Sequence, residues 1–573
     1  MKRLLAVALP LCLFLGACAG RPSPVRQTGS QGWDGGPVAL TSCGLVEGQE
    51  DRDGTWVWKA VPFARPPVGE LRWKAPRDPE PWSGVRYSRS FARPAVQYLP
   101  LTGRIIGTED CLYLNIWRPR SYQTRLPVYV WIHGGGNSTG SANYVKYYLG
   151  HNLAAAGNQV FVSVNYRLGP LGWFSHPALR EGRSAEDDSG NFGTLDLIQA
   201  LCWIRDNIAA FGGDPQTVLI AGESAGAMNV LSLLVSPLAA GLFHRAVIQS
   251  GLVSTSSPAE AEQRARRAIL RLLEKTGEAR GPQQAESLLA SMPAEQLHAF
   301  LRGIPARKLL RCYSSSPSGM IDNPSIITDG TVLPADGYAS LERGDYPGKV
   351  PILIGSNRDE LKSFLFLAGS PSWRDELYHL AARFGSERWK AEAVDGVARR
   401  LTGVAGQPPV FAYLFGWGAL DERGSSPLPG NWGKRLGAFH SLEIPLFLGA
   451  ESSEGSLVGT VLFTKANRAG RLALSTAIQR YLVAFLRTGD PNPNGREGAA
   501  APLPFWAPWS NAAGGPKCIL LDARGEEPDI RMLDREVTLE GIEAVMQAEL
   551  SPELLAAVRA ILARPLTGSK RSP

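Results

Sequence analysis

Short apolar runs rich in β-branched and aromatic residues recur along the chain and alternate with longer amphipathic stretches. Apolar runs of this length, bounded by turn-forming residues, are typical of buried strands. The sequence predicts strands over residues 113–117, 128–132, 160–164, 217–221, 246–249 and 350–354. Strands that alternate with helices form a mostly parallel sheet with helices on both faces. The predicted fold class is therefore α/β.

The amphipathic stretches predict helices over residues 194–210, 260–300, 467–486 and 552–566. No internal repeat and no convincing linker interrupts residues 38–566, so we predict one large domain over that range. The last residues, 567–573, are polar and are predicted to form a disordered tail.

The N-terminus has the pattern of an export signal. Two basic residues precede an apolar segment over residues 4–15, which is too short to span a bilayer. The run Leu-Gly-Ala-Cys ends at Cys18 and resembles the lipobox of bacterial lipoproteins, in which the cysteine carries the lipid. These patterns predict a lipoprotein-type signal peptide over residues 1–17, a lipidated Cys18 and a flexible tether over residues 18–37.

The expected location follows from that signal. Ala19 is not the aspartate associated with retention at the inner membrane, so a lipid anchor in the outer membrane of a bacterial cell envelope is favoured. Ordinary secretory cleavage is the alternative, because the alanines on either side of Cys18 also fit an A-x-A cleavage site. The exported protein would then be periplasmic or secreted.

Composition and charge exclude little beyond nucleic-acid binding. Of the 573 residues, 44% are hydrophobic and 20% charged, as in an ordinary globular protein. The net charge of +7 comes from 60 basic and 53 acidic residues that are spread along the chain. Because no dense basic stripe is present, a nucleic-acid partner is not expected. The cysteines show no metal-ligand spacing, so no metal site is expected either.

A serine lies where one predicted strand meets a predicted helix. The run Gly-Glu-Ser-Ala-Gly at 222–226 follows strand 217–221 and precedes helix-forming residues. In a strand–GxSxG–helix unit the serine hydroxyl is exposed on a tight turn, and glycine lets the flanking backbone pass closely. Ser224 is therefore the candidate nucleophile. The same pattern recurs at 136–140, but Ser138 follows a triple glycine and no helical pattern comes after it.

A nucleophilic serine needs a base, an acid that orients the base, and donors for the oxyanion. In the α/β-hydrolase arrangement the chain order is serine, acid, histidine. His440 follows the Gly/Pro-rich residues 424–437, which places it on a loop and makes it the predicted base. The other histidines after the serine precede any plausible acid loop or lie in helical patterns: His244, His298 and His379.

The acid is expected on a loop after strand 350–354. Asp359 and Glu360 both occupy such a loop, and because neighbouring side chains point in different directions, only one of them can face the histidine. The residues alone leave that choice open. Asp329 is a third candidate, but an Asp-Gly pair is more often a turn.

Candidate oxyanion donors follow another predicted strand. His133 and the three glycines 134–136 come directly after strand 128–132, and glycine leaves backbone N–H groups unobstructed. The amide of Ala225, directly after the nucleophile, would complete the oxyanion hole.

Several further blocks resemble the type-B carboxylesterase/lipase family, which includes the cholinesterases and bacterial carboxylesterases. They are PPVGELR at 66–72, EDCLYLN at 109–115, NYRLG at 165–169, GNFG at 190–193, FGGDP at 211–215, QSG at 249–251 and TGDPN at 488–492. The resemblance implies an α/β-hydrolase fold and hydrolysis of a small-molecule carboxylic ester through an acyl-enzyme, with no metal or organic cofactor.

The resemblance also assigns roles to residues. The family pattern Asp-Glu-Gly aligns its catalytic glutamate with Glu360, although Leu361 replaces the glycine. The pattern His-x-x-Glu aligns with His440 and Glu443, which supports His440. The remaining assignments are the oxyanion donors Gly135, Gly136 and Ala225, and two buried polar residues that support the histidine, Glu223 and Ser250.

Departures from the family pattern bear on specificity. Cys111 matches a disulfide cysteine, but its partner position is Ala95, and the segment between them is short and lacks tryptophan. An aromatic platform for a quaternary ammonium group is therefore not expected, nor are choline esters as preferred substrates. Asn137 stands where many members have an aromatic residue, and we expect it to open or polarise the entrance. The rival functions are a lipase acting on acylglycerols, an amidase-like or xenobiotic-ester specialist, and a non-catalytic adhesion module of the same fold.

Overall fold

A computed structural model describes residues 33–322, 326–369, 371–451, 456, 458–493 and 502–564. The predicted signal peptide, Cys18 and the predicted tail over 567–573 lie outside the described residues. The predicted tether is too long at its C-terminal end. Trp33 is buried, and its Nε1 donates to the carbonyl of Ser121 at 2.7 Å. The indole gains a hydrogen bond and apolar contacts there, so the packed domain begins before residue 38.

The strands are β1 Val38–Thr41, β2 Gly44–Glu47, β3 Gln49–Asp51, β4 Thr55–Pro62, β5 Val85–Tyr87, β6 Gln97–Tyr98, β7 Ile105–Ile106, β8 Tyr113–Pro119, β9 Leu126–Ile132, β10 Val160–Val164, β11 Gly213–Glu223, β12 Arg245–Gln249, β13 Ile352–Asn357, β14 Val410–Phe415, β15 Cys518–Arg524 and β16 Glu527–Leu533. Each strand predicted from the sequence corresponds to one of these, with ends that differ by a few residues.

The helices are α1 His151–Gly157, α2 Gly169–Gly172, α3 Phe192–Asn207, α4 Ala225–Val235, α5 Pro258–Thr276, α6 Pro282–Ser291, α7 Ala294–Gly303, α8 Ala306–Leu310, α9 Ala339–Arg343, α10 Glu360–Ala368, α11 Glu376–Lys390, α12 Gly396–Thr402, α13 Trp432–Arg435, α14 Ile444–Phe447, α15 Arg468–Thr488, α16 Leu539–Glu549 and α17 Pro552–Leu562. The helical pattern predicted over 260–300 is divided among α5, α6 and α7, because Gly277 ends α5 in the left-handed region (φ 83°) and proline begins α6.

Eleven strands form one central sheet in the order β16-β15-β14-β13-β12-β11-β9-β10-β8-β4-β3. The seven strands from β15 to β10 run parallel, and the strands at both edges pair antiparallel. This mostly parallel sheet confirms the predicted fold class. Because the carboxyl ends of parallel strands meet at one edge, that edge is where a site is expected.

Two hydrophobic cores cover the two faces of the sheet. Along β9, alternate side chains enter opposite cores: Val128, Val130 and Ile132 on one face, Tyr129 and Trp131 on the other. A strand in the middle of a parallel sheet is buried on both faces, which explains its continuous apolar sequence. None of the described helices is both long and apolar enough to cross a membrane.

The described chain has buried free thiols at Cys43, Cys111, Cys312 and Cys518. Cys111 and Ala95 line the same small cavity, which agrees with the alignment that paired these two positions. Burial raises the pKa of the Cys111 thiol well above its usual range, so this thiol is unreactive.

Candidate active site

The candidate residues come together at the carboxyl edge of the central sheet. Ser224 follows β11, Glu360 begins α10 shortly after β13, and the glycine run follows β9. His440 lies on the long connection after β14. Since all four strands are parallel, their carboxyl ends place these residues at one edge although they are distant in sequence.

Ser224 lies on a strained turn between β11 and α4. Its backbone has φ 57° and ψ −123°, a region that residues with a side chain rarely adopt, and its N–H donates to the carbonyl of Gln249 at 2.9 Å. Such strain persists only where the surroundings enforce it, and it is concentrated at functional sites. The side chain is partly exposed, as a nucleophile requires.

The two glycines of the turn are required by close backbone contacts. A Cβ at Gly222 would lie 2.4 Å from the carbonyl carbon of Gly226, and a Cβ at Gly226 would lie 2.1 Å from the carbonyl oxygen of Ile132. Neither neighbour is a flexible side chain. The turn therefore closes only with glycine at both positions.

Glu360 is the carboxylate that contacts His440. Its Oε2 lies 2.6 Å from Nδ1 of the imidazole. The other oxygen, Oε1, accepts hydrogen bonds from the Ser250 hydroxyl at 2.5 Å and from the backbone N–H of Asn357 at 2.7 Å. The glutamate is fully buried, so these contacts fix its orientation toward the imidazole.

The two other acid candidates have structural partners. The carboxylate of Asp359 pairs with Lys362 at 2.9 Å and accepts from the backbone N–H of Ala438 at 3.0 Å. Asp329 accepts from the backbone N–H groups of Val332 and Leu333, as expected for a turn. The structure therefore separates Glu360 from Asp359, which the residues alone could not do.

The other serine and histidine candidates also have local partners. The Ser138 hydroxyl is buried, donates to the carbonyl of Gly136 at 2.9 Å, and accepts from the N–H of Ile321 at 3.3 Å. His244 accepts from a backbone N–H, and His298 contacts a carbonyl and an arginine. These contacts account for the side chains without catalysis.

Glu223 lies on the other side of the imidazole from Glu360. Its Oε1 lies 3.2 Å from Nε2 of His440 and accepts from the Ser441 hydroxyl at 2.6 Å. Burial raises the pKa of Glu223. Within the described residues, no hydrogen bond joins the Ser224 hydroxyl to His440; Nε2 instead faces Glu223, the residue next to the serine.

The carboxylates around His440 favour its protonated form. Burial acts to lower the pKa of the imidazolium, but the nearby charges, Glu223 first and then Glu360, outweigh it and raise that pKa from 6.5 to about 9. A further carboxyl, Glu443, accepts from the side-chain amide of Asn357 at 2.5 Å, and burial raises its pKa well above the usual range. The other oxygen of Glu443, Oε1, has no hydrogen-bond partner among the described residues, which agrees with a neutral carboxyl group.

The glycine run supplies unobstructed backbone beside Ser224. A Cβ at Gly134 would lie 3.1 Å from Cβ of Ser224, and Gly135 and Gly136 have φ of 103° and 62°. Among the described residues, the N–H groups of Gly135, Gly136 and Ala225 donate to no acceptor. Ala225 also begins the eleven-residue helix α4, whose N-terminus favours negative charge.

Asn137 does not line the entrance, contrary to expectation. It is 1% exposed, and its Oδ1 accepts from the side-chain amide of Asn229 at 2.9 Å and from the Tyr166 hydroxyl at 3.3 Å. The backbone at Asn137 has φ 51°, which directs the side chain into this buried network. His133 lies nearby, stacked on Tyr166, and burial lowers the pKa of its imidazole to about 4, so it stays neutral.

Several residues around the imidazole were missed from the sequence. Asn357 contacts both Glu360 and Glu443, and Ser441 contacts Glu223; their proximity to a strand end and to His440 offered a weak indication. Phe364 and Trp389 pack against the imidazole ring. Trp389 lies on a helix with no motif, so nothing in the sequence pointed to it. No group of described residues has the arrangement to hold a metal ion.

The model of the carboxylesterase family matches residues 35–393, more than half of the chain. The chain belongs to this family. Para-nitrobenzyl esterase of Bacillus subtilis is 31% identical over 79% of this chain and 90% of its own length. Fumonisin B1 esterase of Sphingopyxis macrogoltabida is 37% identical over 61% of each chain.

Solved structures of carboxylesterases have the same fold. A PNB esterase superposes with a TM-score of 0.65 at 29% identity, covering 86% of this chain and 97% of its own. The Geobacillus stearothermophilus carboxylesterase gives the same TM-score and identity, with 87% and 97% covered. This carboxylesterase therefore has the α/β-hydrolase fold, and it hydrolyses carboxylic esters.

Proposed function

We propose that Ser224, Glu360 and His440 form the catalytic triad of this enzyme. The observation that carries the proposal is the 2.6 Å contact between Glu360 and Nδ1 of His440, made beside a serine on a strained strand-to-helix turn. A triad is recognised by such geometry rather than by sequence position.

In the first half-reaction, Nε2 of neutral His440 takes the proton of the Ser224 hydroxyl. The serine oxygen attacks the ester carbonyl carbon, and the carbonyl oxygen becomes an oxyanion that accepts from the N–H groups of Gly135, Gly136 and Ala225. When the tetrahedral intermediate collapses, the bond to the alcohol oxygen breaks, and the imidazolium returns the proton to the leaving alcohol.

In the second half-reaction, water replaces the alcohol. His440 takes a proton from that water as it attacks the acyl-enzyme, and Ser224 leaves with a proton from the imidazolium. Glu360 holds the imidazole by Nδ1 throughout and stabilises its cation. The hydrogen bonds from Ser250 and Asn357 keep this carboxylate in place.

The resting geometry requires one movement before catalysis. Nε2 of His440 faces Glu223 at 3.2 Å, so the imidazole must lose its proton and turn toward the Ser224 hydroxyl, one residue along the chain. Catalytic hydrogen bonds are often long in free enzymes and tighten when substrate binds. Glu223 and Ser250 act in the proposal as supporting residues.

The proposed substrate is a small-molecule carboxylic ester. Two relatives are named as a para-nitrobenzyl esterase and a fumonisin B1 esterase, and the lack of tryptophan between Ala95 and Cys111 argues against choline esters. A lipase is the second candidate; no observation in the described residues favours it. Rates on p-nitrophenyl esters of increasing acyl length, with and without an oil–water interface, distinguish them, because a lipase gains activity at the interface.

The triad is tested with the same ester series. We expect Ser224→Ala to lose ester hydrolysis and labelling by an organophosphate, while His440→Ala and Glu360→Ala lose activity but remain folded. Full activity of Ser224→Ala, or labelling of Ser138, would refute the proposal. An adhesion module would show no activity in the wild type.

We further propose that the enzyme is exported and lipid-anchored through Cys18, with the outer membrane as the favoured site. The support is the sequence alone. The Cys18→Ser variant should lose incorporation of labelled fatty acid and leave the membrane fraction. Unchanged membrane attachment would contradict lipidation, and recovery of the wild type in the soluble periplasm would favour ordinary secretory cleavage.

A further inference from the structure

Two aromatic rings pack side by side against the imidazole of His440. The ring centroids of Phe364 and Trp389 each lie 5.1 Å from the imidazole centroid, with interplanar angles of 46° and 51°. The two rings also contact each other, with centroids 5.9 Å apart and planes at 25°. Phe364 comes from α10, the helix that begins with Glu360, whereas Trp389 comes from α11, a separate element.

The backbone directly after Trp389 leaves the α-helical register. Residues Ala391–Asp395 form a π-helical turn that joins α11 to α12. In an α-helix, residues five apart lie roughly 140° apart around the axis. A π turn instead joins the N–H of residue i+5 to the carbonyl of residue i, and such turns are rare and frequent at functional sites.

A buried ion pair spans this π turn. Nζ of Lys390 lies 2.6 Å and 2.5 Å from the two carboxylate oxygens of Asp395, five residues on, and the two side chains are 7% and 0% exposed. The backbone N–H of Val537 donates to the same carboxylate at 2.7 Å. An α-helical register would separate the two charges, so the pair can form only while the π turn persists.

A buried ion pair adds little net stability compared with apolar residues, and its best-attested use is to fix one register. Here the fixed register begins at Trp389, whose side chain is 5% exposed. Its indole N–H donates to no acceptor in the described chain. Hydrogen bonding therefore does not explain the tryptophan, and its ring surface against the imidazole does.

We propose that Trp389 is a positioning residue for His440, held against the imidazole by the Lys390–Asp395 pair. The inference rests on the proposed role of His440 as the base. With Nδ1 fixed by Glu360, the two rings block movement of the imidazole toward their side, which leaves the movement of Nε2 between Glu223 and Ser224, and they keep water from that side. Preorganisation of this kind lowers the barrier of the chemical step and leaves the affinity for substrate unchanged.

The positioning role of the Trp389 ring is tested with the variants Trp389→Ala and Trp389→Phe, for which kcat, KM and the pH profile are measured. We expect Trp389→Ala to lower kcat by about 10- to 100-fold, with KM within threefold. Water admitted beside the imidazole should also move the pKa of His440 from about 9 toward its ordinary value, because water weakens both the burial that lowers this pKa and the carboxylate charges that together outweigh it. Trp389→Phe restores the ring surface and should restore kcat and the pH profile.

An unchanged kcat and pH profile in Trp389→Ala would overturn the inference, and so would a change confined to KM. Ser224→Ala separates the inference from the proposed function. If Ser224→Ala retains activity, the triad itself is wrong. If it is inactive while Trp389→Ala behaves like the wild type, only the positioning role is wrong.

The role of the Lys390–Asp395 pair is tested by replacing both residues with apolar residues of similar volume. In the double variant Lys390→Met/Asp395→Leu, the π turn loses its fixed register, and we expect kcat to fall by the factor seen for Trp389→Ala. The control is Arg72→Met/Glu109→Leu, which removes a largely buried ion pair (2.6 Å) whose arginine also donates to backbone carbonyls of residues 301, 302 and 304, none of them among the residues around His440. The control should change the melting temperature and leave kcat and the pH profile unchanged.

A double variant that folds and retains the wild-type kcat and pH profile would show that the pair does not hold Trp389. If it does not fold, the Trp389→Ala and Trp389→Phe results decide the positioning role by themselves.

Discussion

The chain carries the pattern Gly-x-Ser-x-Gly twice, and the two copies have opposite surroundings. Around Ser224 the pattern joins β11 to α4, the serine has φ 57°, and its side chain is partly exposed. Around Ser138 the pattern closes a loop after β9, and the hydroxyl is buried between the Gly136 carbonyl and the Ile321 N–H. The same five-residue pattern thus yields a strained, accessible serine and a fully hydrogen-bonded one.

The first glycines of the two copies, Gly222 and Gly136, differ in what they contact. Gly222 and Gly226 are required because backbone atoms of the turn and of β9 approach within 2.4 Å and 2.1 Å of an added Cβ. At Gly136 the nearest atom is Sδ of Met320, which is flexible, although the left-handed φ still favours glycine there; an added Cβ at Gly140 would lie 2.8 Å from the carbonyl oxygen of Gly134. The strand-to-helix junction, rather than the glycine–serine pattern, therefore marks the nucleophile.

Replacing each serine by alanine should give the largest difference between the two copies of the pattern. Ser224→Ala removes the nucleophile, and we expect kcat to fall by at least about 10⁴-fold. Ser138→Ala removes a buried hydroxyl, which should cost about 1 kcal/mol of unfolding free energy and leave kcat within a few-fold. Steady-state kinetics and urea unfolding of both variants check this. Equal losses of activity would mean that the two turns are not distinguished as described.

Replacing a glycine of each copy should give the next largest difference, measured as the free energy of unfolding. Gly226→Ala forces a Cβ against the Ile132 carbonyl oxygen, and we expect a loss of about 3 kcal/mol or more, or no folding at all. Gly136→Ala meets only Met320 and its own left-handed φ, so a loss of about 1 to 2 kcal/mol is expected. Urea unfolding midpoints compare the two, and a Gly226→Ala variant as stable as Gly136→Ala would contradict the contact argument.

A third serine sharpens the comparison. Ser250 also has a left-handed φ (54°) and is buried like Ser138, but its hydroxyl donates to Glu360 instead of to the main chain. Ser250→Ala should lower kcat by about tenfold, because Glu360 loses a hydrogen bond worth about 1.4 kcal/mol. A loss of stability with unchanged kcat would place Ser250 with Ser138.

Glu223 and Asn137, the residues directly before the two serines, should differ in their effect on the pH dependence of kcat/KM. The proposed base works only when neutral, so kcat/KM should rise with pH through the pKa of His440, about 9. Glu223→Gln removes the charge that contributes most to raising that pKa and should move the midpoint toward 6.5. Asn137→Gly removes no charge and should leave the midpoint unchanged. An unchanged midpoint in Glu223→Gln would show that the carboxylate is uncharged in the working enzyme.

The same charges link pH to stability. Because the folded-state pKa of His440 is raised above the 6.5 of the unfolded chain, the imidazolium stabilises the folded state fully below pH 6.5. This contribution is lost as pH rises through about 9.

Six of the eleven strands of the central sheet, β8 to β13, and the main site residues could be predicted because they depend on local sequence; β3, β4, β14, β15 and β16 were not predicted. β9, β10 and β11 are continuous apolar runs, and the serine turn stands between a strand and a helix. The family resemblance selected Glu360, and the structure supplies the reason: Asp359 is occupied by Lys362 and the Ala438 N–H. That partnership depends on tertiary contacts and could not be inferred from the residues.

What could not be predicted depends on distant packing. Asn137 was expected at the entrance, but its positive φ directs it into a buried network with Asn229 and Tyr166. Trp389 carries no motif, and the π turn that follows it has no sequence signature. Residues 260–300 were predicted as one helical region, whereas Gly277 and the prolines at the start of the next two elements divide residues 258–303 into three helices.

The spread of the site along the chain has a consequence for biosynthesis. The glycine run after β9 leaves the ribosome some 300 residues before His440, and at about 5 to 20 residues per second that interval lasts tens of seconds. α11, whose Trp389 touches the imidazole, packs further on α16 and α17 near the end of the chain. Enzymatic activity therefore reports completed synthesis, and nascent chains that stop before α16 should hydrolyse no ester.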